Sequence, residues 1–217
     1  PRPRPDATGG CCPQGLPSPL LVNPMPDSPQ RSTFASSNLA DVSRGRYVID
    51  PVHSHVLFSV SHFGISTYHG EFTAPAGTLD IPLSANGSQT RLAVSVPVAN
   101  VRTTSRILDD ELRSREWLDG QRFPSIAFDF AAPLSLSENS FQVAGALTLH
   151  GVTRNVTFDV SFVGAGMNPA KQVYTIGFDI RGHIRRSEYG VTTALPMIGD
   201  ELGLIISAAF ELEVSAA

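Results

Sequence analysis

The chain has 217 residues and a formal net charge of −4, and 41% of its residues are hydrophobic. This length fits one domain with a tail, or at most two small domains. The charge argues against nucleic-acid binding, which usually needs a basic surface, and no apolar run is long enough to predict a membrane-spanning helix. The two cysteines, Cys11 and Cys12, are adjacent in the N-terminal tail. We therefore expect no disulfide in the folded part.

Residues 1–45 are predicted to be a disordered leader or linker. They hold nine of the seventeen prolines, and prolines flank their one apolar cluster, residues 20–22. Such a segment cannot bury enough apolar surface to offset the entropy that it loses on ordering. A docking peptide is the alternative interpretation.

Residues 47–79 are predicted to hold a strand entry, a long alternating strand, a tight turn and a return strand at 67–73 that forms a hairpin with it. From residue 55 onward the side chains alternate, with Val56, Phe58 and Val60 on one face. A period of two indicates a β-strand with one buried face. The alternation breaks at 62–66, after which the chain can return as the second strand of the hairpin.

Residues 103–115 contain the chain's one predicted helix. Ser105 is a residue type that caps helix N-termini, and Ile107, Leu108 and Leu112 fall on one helical face. The helix interrupts a chain that otherwise reads as strands.

The remainder predicts further strands with one apolar face each, separated by turns and by a loop at 164–170. Their apolar faces carry Ile126, Phe128 and Phe130; Phe141, Val143, Leu147 and Leu149; Val156, Phe158, Val160 and Phe162; Tyr174, Ile176, Phe178, Ile180 and Ile184; and Leu202, Leu204, Ile206, Phe210 and Val214. About eight or nine antiparallel strands with short connections favour a meander that closes into an up-and-down barrel. A two-sheet sandwich is the alternative, and the long runs 172–185 and 202–214 favour the barrel. The pattern leaves open whether the inward side chains fill a core or line a ligand channel.

Metal binding and catalysis are weak alternatives. His53 and His55 could share a strand face, but a zinc site needs three or four ligands and the folded part has no cysteine. The acidic run 109–111 is explained by a helix start, and its side chains point in different directions. We predict no catalytic residue, no metal and no cofactor. A metal-dependent hydrolase-type enzyme using these histidines stays an alternative, as does a filled-core structural or stress-related interaction domain.

Five ordered motifs carry a family resemblance that covers roughly residues 46–217. They are YVID at 47–50 with HS at 53–54, FSVSHFG at 58–64, GEF at 70–72 and GTL at 77–79; LRS at 112–114 with WLD at 117–119 and FPSIAF at 123–128; GALTLHGVTR at 145–154; RSEYGV at 186–191; and the final strand. This set resembles the YceI-like family. The resemblance implies a lipocalin-like antiparallel barrel that binds a long polyisoprenoid, such as a polyprenyl lipid or a quinone tail. It also implies a bacterial protein, commonly periplasmic, without established catalysis.

One departure from the family bears on the ligand. Many members carry an Arg-Asp pair and a His before the LRS motif, where this chain has Leu108, Asp109 and Glu111. The difference favours a neutral quinone or phenol head group over an anionic diphosphate.

The resulting prediction is a lipocalin-like barrel over 46–217, with the 104–115 helix near an opening or acting as a lid. The residues predicted to form the apolar lining are Phe58, Val60, Val94, Val96, Phe128, Phe130, Leu147, Phe158, Phe162, Ile176, Phe178, Ile206 and Phe210. The residues predicted to contact a head group are His53, His62, Arg106, Arg113 and Trp117. The predicted partner is an isoprenoid lipid, with a homodimer and a transient contact with a membrane or membrane protein as further candidates. The expected location is periplasmic or secreted.

Overall fold

The computed structural model describes residues 35–83, 88–133 and 138–213. Its strands are β1 (Gly45–Ile49), β2 (His55–His62), β3 (Ser66–Thr73), β4 (Ala76–Ile81), β5 (Thr90–Pro97), β6 (Val101–Arg102), β7 (Ser125–Ala132), β8 (Ser140–Leu149), β9 (Val152–Asn168), β10 (Val173–Arg185) and β11 (Ile198–Leu212). The helix α1 spans Arg106–Arg113, and short 3-10 helices span Leu39–Asp41, Val98–Asn100 and Arg186–Tyr189. No helix in these ranges has the length and apolar character needed to cross a bilayer.

The strands form a closed antiparallel barrel, which is eight-stranded when each interrupted strand is counted once. β1 and β2 are two parts of one interrupted strand, as are β3 with β4 and β5 with β6, because each pair follows the same neighbouring strands. β7 to β11 pair consecutively, and β11 closes the barrel by pairing with both β1 and β2. The predicted all-β, lipocalin-like barrel with one helix is therefore confirmed, and closure leaves no long sheet edge exposed.

The Ser54 side chain replaces backbone hydrogen bonds of the sheet at the interruption between β1 and β2. The backbone N–H of Asp50 donates to the carbonyl of Ala209, and the Ala209 N–H donates to Oγ of Ser54 at 2.9 Å. Ser54 Oγ also donates to the Ala209 carbonyl at 3.3 Å. Ser54 thus satisfies buried backbone groups that a continuous strand would have paired.

Part of the predicted leader packs on the barrel. Residues 36–44, called the strap below, pair with β9 through two hydrogen bonds between Ser36 and Ala165, of 2.8 and 2.9 Å. Within the strap, Leu39 is only 1% exposed and Val42 is also buried. Residues 35–45 are therefore ordered against the barrel, which differs from the predicted disorder, whereas 1–34 lie outside the described residues.

Two further expectations differ from the structure. The loop expected at 164–170 is largely strand, because β9 continues to Asn168 across a β-bulge where Val163 turns outward. Ile107, expected on the buried face of the helix, is 82% exposed. The short helix α1 buries Asp109 instead, whose Oδ1 accepts hydrogen bonds from the N–H and Oγ1 of Thr103, both at 2.7 Å.

Candidate functional site

The barrel encloses an apolar cavity of about 270 Å³. At one end it is lined by Leu39 of the strap with Ile49 and Ile81, and at the other by Leu112 of α1 with Trp117. We call these the strap end and the helix end. Native interiors are close-packed and contain few voids larger than a water molecule, so a cavity of this size along the barrel is a candidate ligand site.

The inward face of the strands was predicted with the right parity. On β2, Val56, Phe58 and Val60 line the cavity, while Leu57 between them is exposed. The cavity-lining members of the predicted set are Phe58, Val60, Val94, Val96, Phe128, Phe130, Leu147, Phe158, Phe178, Ile206 and Phe210. Phe162 and Ile176 do not line it, because they are buried in the cluster that packs beneath Leu39 at the strap end.

The helix end is built from α1 and the turn that follows it. Ser105 caps the helix by accepting a hydrogen bond from Leu108 N–H at 3.4 Å, and Leu112 reaches the cavity. The Trp117 indole N–H donates to Oε1 of Glu111 at 3.1 Å, so its one polar atom is satisfied while its ring contributes to the lining. This arrangement agrees with the helix expected near an end of the barrel.

One buried cation lies at the helix end. Arg186 is 3% exposed, and it is the one charged side chain among the described residues that line the cavity. Its guanidinium donates to the carbonyls of Val191, Thr193, Ile198 and Gly199 at 2.8–3.0 Å. Burial lowers the pKa of Arg186, although the charge of Asp200 acts in the opposite direction. The guanidinium carbon also lies 5.3 Å from the centre of the Trp117 ring, a cation–π distance.

The sequence prediction missed Arg186, but the signal was available. Ile180, Gly182 and Ile184 alternate inward along β10, and Arg186 is the next position in that series. An arginine at an inward position just beyond a strand predicts a buried cation at the barrel end.

Only one of the five residues predicted to contact a head group lines the cavity, and that residue is Trp117. His53 is largely exposed beside Asp50, and Arg106 is exposed on α1. Arg113 donates from Nε to the Asp109 carbonyl at 2.8 Å, within its own helix. His62 lies at the end of β2, with its ring 4.3 Å from that of Phe63.

A charged cluster stabilises the outside of the barrel near the strap end. Asp50 is 2% exposed, and its Oδ2 lies 2.8 Å from Lys171 Nζ and 2.7 Å from His53 Nδ1. Burial alone would raise the pKa of Asp50, but hydrogen bonds from Lys171, His53 and Val52 outweigh burial and hold that pKa well below its ordinary value. Lys171 also contacts Glu211 at 2.6 Å. No group of three metal-ligating side chains converges in the described ranges.

Comparisons with known proteins agree with this architecture. A family model described as YceI-like domain matches residues 47–210. Protein YceI of Salmonella arizonae is 31% identical over 157 residues, which cover 71% of this chain and 80% of that protein.

Two solved structures share the fold. BcnA of Burkholderia cenocepacia superposes with a TM-score of 0.63 at 21% identity, covering 74% of this chain and 98% of BcnA. A polyisoprenoid-binding domain from Saccharophagus degradans superposes with a TM-score of 0.58 at 13% identity, covering 77% of this chain and 98% of that domain. The match of the family model over most of the barrel decides the assignment, and this chain belongs to the YceI-like family.

Proposed function

We propose that this protein binds a long isoprenoid chain inside its barrel and catalyses no reaction on it. The observation that carries the proposal is the continuous apolar cavity from Leu39 to Leu112. The description of the Saccharophagus degradans domain as polyisoprenoid-binding supports the same ligand class. Two polar residues at the cavity support binding, because their side chains are engaged within the protein, Ser54 with Ala209 and Arg186 with four carbonyls.

The energetic cost of the cavity favours an occupant. At about 24 cal/mol per Å³, an empty cavity of about 270 Å³ costs roughly 6 kcal/mol. That cost is comparable to the whole stability of many domains, which is about 5–15 kcal/mol. Apolar cavities exclude water and take up apolar ligands, so a hydrocarbon would recover much of this free energy.

The ligand must be long to bind well. Each buried methylene contributes about 0.8 kcal/mol, so one five-carbon unit contributes roughly 3–4 kcal/mol. Association costs about 4–15 kcal/mol, and micromolar affinity needs about 8 kcal/mol more. Several isoprene units must therefore be enclosed, which suits a tube better than a surface groove.

The helix end favours a neutral head group. Arg186 uses four of its five N–H groups on backbone carbonyls, so one donor is left for a ligand atom. A single carbonyl or hydroxyl oxygen of a quinone or phenol matches one donor, whereas a diphosphate needs several. Our proposal therefore takes a quinone- or phenol-type lipid, with its head near Arg186 and Trp117.

We include contact with a lipid bilayer in the proposal, because a long tail must enter from a membrane. Phe63 and Ile65 in the β2–β3 turn are exposed, Ile65 by 86%, and exposed Met197 lies beside them with its carbonyl 2.7 Å from Phe63 N. In flotation with phosphatidylcholine–phosphatidylglycerol vesicles, we expect Phe63→Ser with Ile65→Ser to lose membrane association. Val52→Ser, at an exposed apolar residue between β1 and β2, is the control and should retain it. Equal flotation of all variants would remove this part of the proposal.

Storage or transport of the lipid follows from the same proposal, since an enclosed tail is shielded from water until it is released. The homodimer and the periplasmic or secreted location stay predictions.

Extraction of the purified protein with organic solvent, followed by mass spectrometry, tests the ligand directly. We expect a polyprenyl lipid or an isoprenoid quinone in roughly stoichiometric amount. Ile206→Trp should remove it by filling the cavity, whereas Ile205→Trp, at the adjacent outward position, should not. Protein that carries no lipid and binds no added solanesol would contradict the proposal.

A further inference from the structure

Three inward phenylalanine rings occupy space that glycines on neighbouring strands leave free. A Cβ atom at Gly182 of β10 would lie 2.7 Å from Cε1 of Phe158 on β9 and would overlap its Cδ1. The same relation joins Gly70 on β3 to Phe58 on β2, where that distance is also 2.7 Å. The third pair is Gly145 on β8 with Phe128 on β7, at 2.8 Å from Cε2.

These pairs form a continuous band in the barrel wall. In the strand register, Gly182 lies opposite Leu204, Leu204 opposite Phe58, and Phe58 opposite Gly70. Two of the three glycine–phenylalanine pairs therefore lie along one row across the strands. The third pair joins the band through Phe128, whose ring centre lies 5.3 Å from that of Phe158. We call Phe58, Phe128 and Phe158, with their three glycines, the collar.

The glycines explain how large rings can coexist with a cavity. Glycine weakens a strand interior, because it adds backbone entropy to the unfolded chain and provides no side chain for packing. All three rings line the cavity, yet each is displaced sideways over a neighbouring strand where no side chain stands. A side chain at the glycine would push the ring away from the wall and toward the barrel axis.

We propose that the collar sets the bore of the lipid channel, and that it selects for ligands whose hydrocarbon chain can thread past these rings. The inference rests on the proposed function and names the residues that determine how long a ligand chain the barrel can bind. A chain that passes the collar can use the cavity on both sides of it. A narrowed collar confines the ligand to one side, so further isoprene units gain no burial.

The variant Gly182→Ala tests this most cleanly, because the three heavy atoms nearest to the added Cβ all belong to the Phe158 side chain. At Gly145, by contrast, the Cβ would also lie 2.6 Å from the backbone oxygen of Asp129. Gly177→Ala on the same strand is the matched control, since its Cβ would have no neighbour closer than 3.7 Å. Phe158→Leu in the Gly182→Ala background removes the overlap and serves as the rescue.

Dissociation constants for farnesol, geranylgeraniol and solanesol, in order of increasing length, provide the readout through the fluorescence of Trp117. In the unaltered protein affinity should rise with length, because each buried methylene strengthens binding about fourfold. Gly182→Ala should flatten that rise and weaken solanesol binding by about 100-fold or more, equivalent to one excluded isoprene unit. Gly177→Ala should retain the rise of affinity with chain length, and the rescue variant should restore it.

If folded Gly182→Ala shows the same increase of affinity with chain length as the unaltered protein, the proposal that the collar sets the bore is wrong. Should that variant fail to fold, Phe158→Trp enlarges the same ring without altering the glycine, and an unchanged rise there would overturn it equally. The proposed function fails separately, if the unaltered protein binds none of the three alcohols.

Discussion

At the strap end, Leu39 and Val42 close the barrel by laying apolar side chains on an apolar cluster. At the helix end, a single buried cation, Arg186, holds the backbone of residues 191–199 together through four hydrogen bonds. The first end gains stability by removing hydrocarbon from water, the second by satisfying carbonyls that would otherwise be buried without partners.

This difference suggests a division of roles between the ends. Apolar packing is non-directional and tolerates small shifts, so it suits a permanent closure. A polar network fixes one geometry and leaves one guanidinium N–H available beside the Trp117 ring. Under the proposed function, the strap end would anchor the fold and the helix end would receive the ligand.

The largest effect is expected from Arg186→Met. The change leaves the four carbonyls without their donor inside the protein, and we expect the free energy of unfolding to fall by about 3–5 kcal/mol. Arg185→Met, at the adjacent exposed arginine, should change it by less than about 0.5 kcal/mol. Urea denaturation of both variants measures the difference. Similar stabilities would show that Arg186 does not organise the helix end.

Leu39→Ala probes the strap end. Removing a buried leucine leaves a cavity, and we expect a loss of about 2–3 kcal/mol, since part of this side chain already borders the lumen. Ile107→Ala on α1 is the control, because an 82% exposed side chain contributes little to stability. If the two variants unfold at the same urea concentration, the strap does not stabilise the barrel in solution.

What the sequence could and could not predict follows the same division. Strand parity was predictable, because Phe58, Phe178 and Ile206 each sit in a run of alternating apolar residues that only one sheet face can bury. The strap was not, since Leu39 and Val42 are isolated apolar residues whose burial depends on contacts 100 or more positions away, such as the bond from Leu39 N–H to Asn139 Oδ1.

The existence of the cavity also could not be predicted from the sequence. Alternation shows which side chains point inward, but not whether they meet at the barrel axis. Here the outcome depends on where rings such as Phe158 find space, and that depends on pairing with glycines such as Gly182 across strands. Of the residues predicted to contact a head group, Trp117 lines the cavity, and the cavity-lining Arg186 was missed because arginine is usually assigned to the surface.

Acid should weaken the strap end through Asp50. Its pKa in the folded protein lies below the unfolded value of about 3.9, so its ion pairs add stability above that pH. The added stability is lost as the pH falls through the folded pKa. We expect Asp50→Asn to cost about 2 kcal/mol at neutral pH and progressively less as the pH falls below about 3.9, as measured by chemical denaturation from neutral pH down to pH 2.

Asp110→Asn is the control for this prediction, because Asp110 forms an exposed pair with Arg113 at 3.4 Å. Surface pairs of this kind contribute about 0–1 kcal/mol, so its unfolding curve should match that of the unaltered protein. A pH-independent difference between Asp50→Asn and the unaltered protein would contradict the assignment.

The smallest expected effects come from two fully buried tyrosines, which allow a further comparison of the two ends. Tyr47 at the strap end donates its hydroxyl hydrogen to the Ser43 carbonyl, whereas the hydroxyl of Tyr189, three residues after Arg186, has no partner among the described residues. Burial raises the pKa of both phenols.

Replacing each by phenylalanine should therefore move stability in opposite directions. Tyr47→Phe removes a hydrogen bond and leaves the Ser43 carbonyl unpaired, at a cost of about 1 kcal/mol, while Tyr189→Phe removes an unsatisfied buried group and should stabilise by up to about 1 kcal/mol. Thermal unfolding resolves shifts of this size, since 1 kcal/mol moves Tm by about 2–4 °C in a domain of 150–250 residues. A destabilised Tyr189→Phe would mean that the hydroxyl has a hydrogen-bond partner in solution.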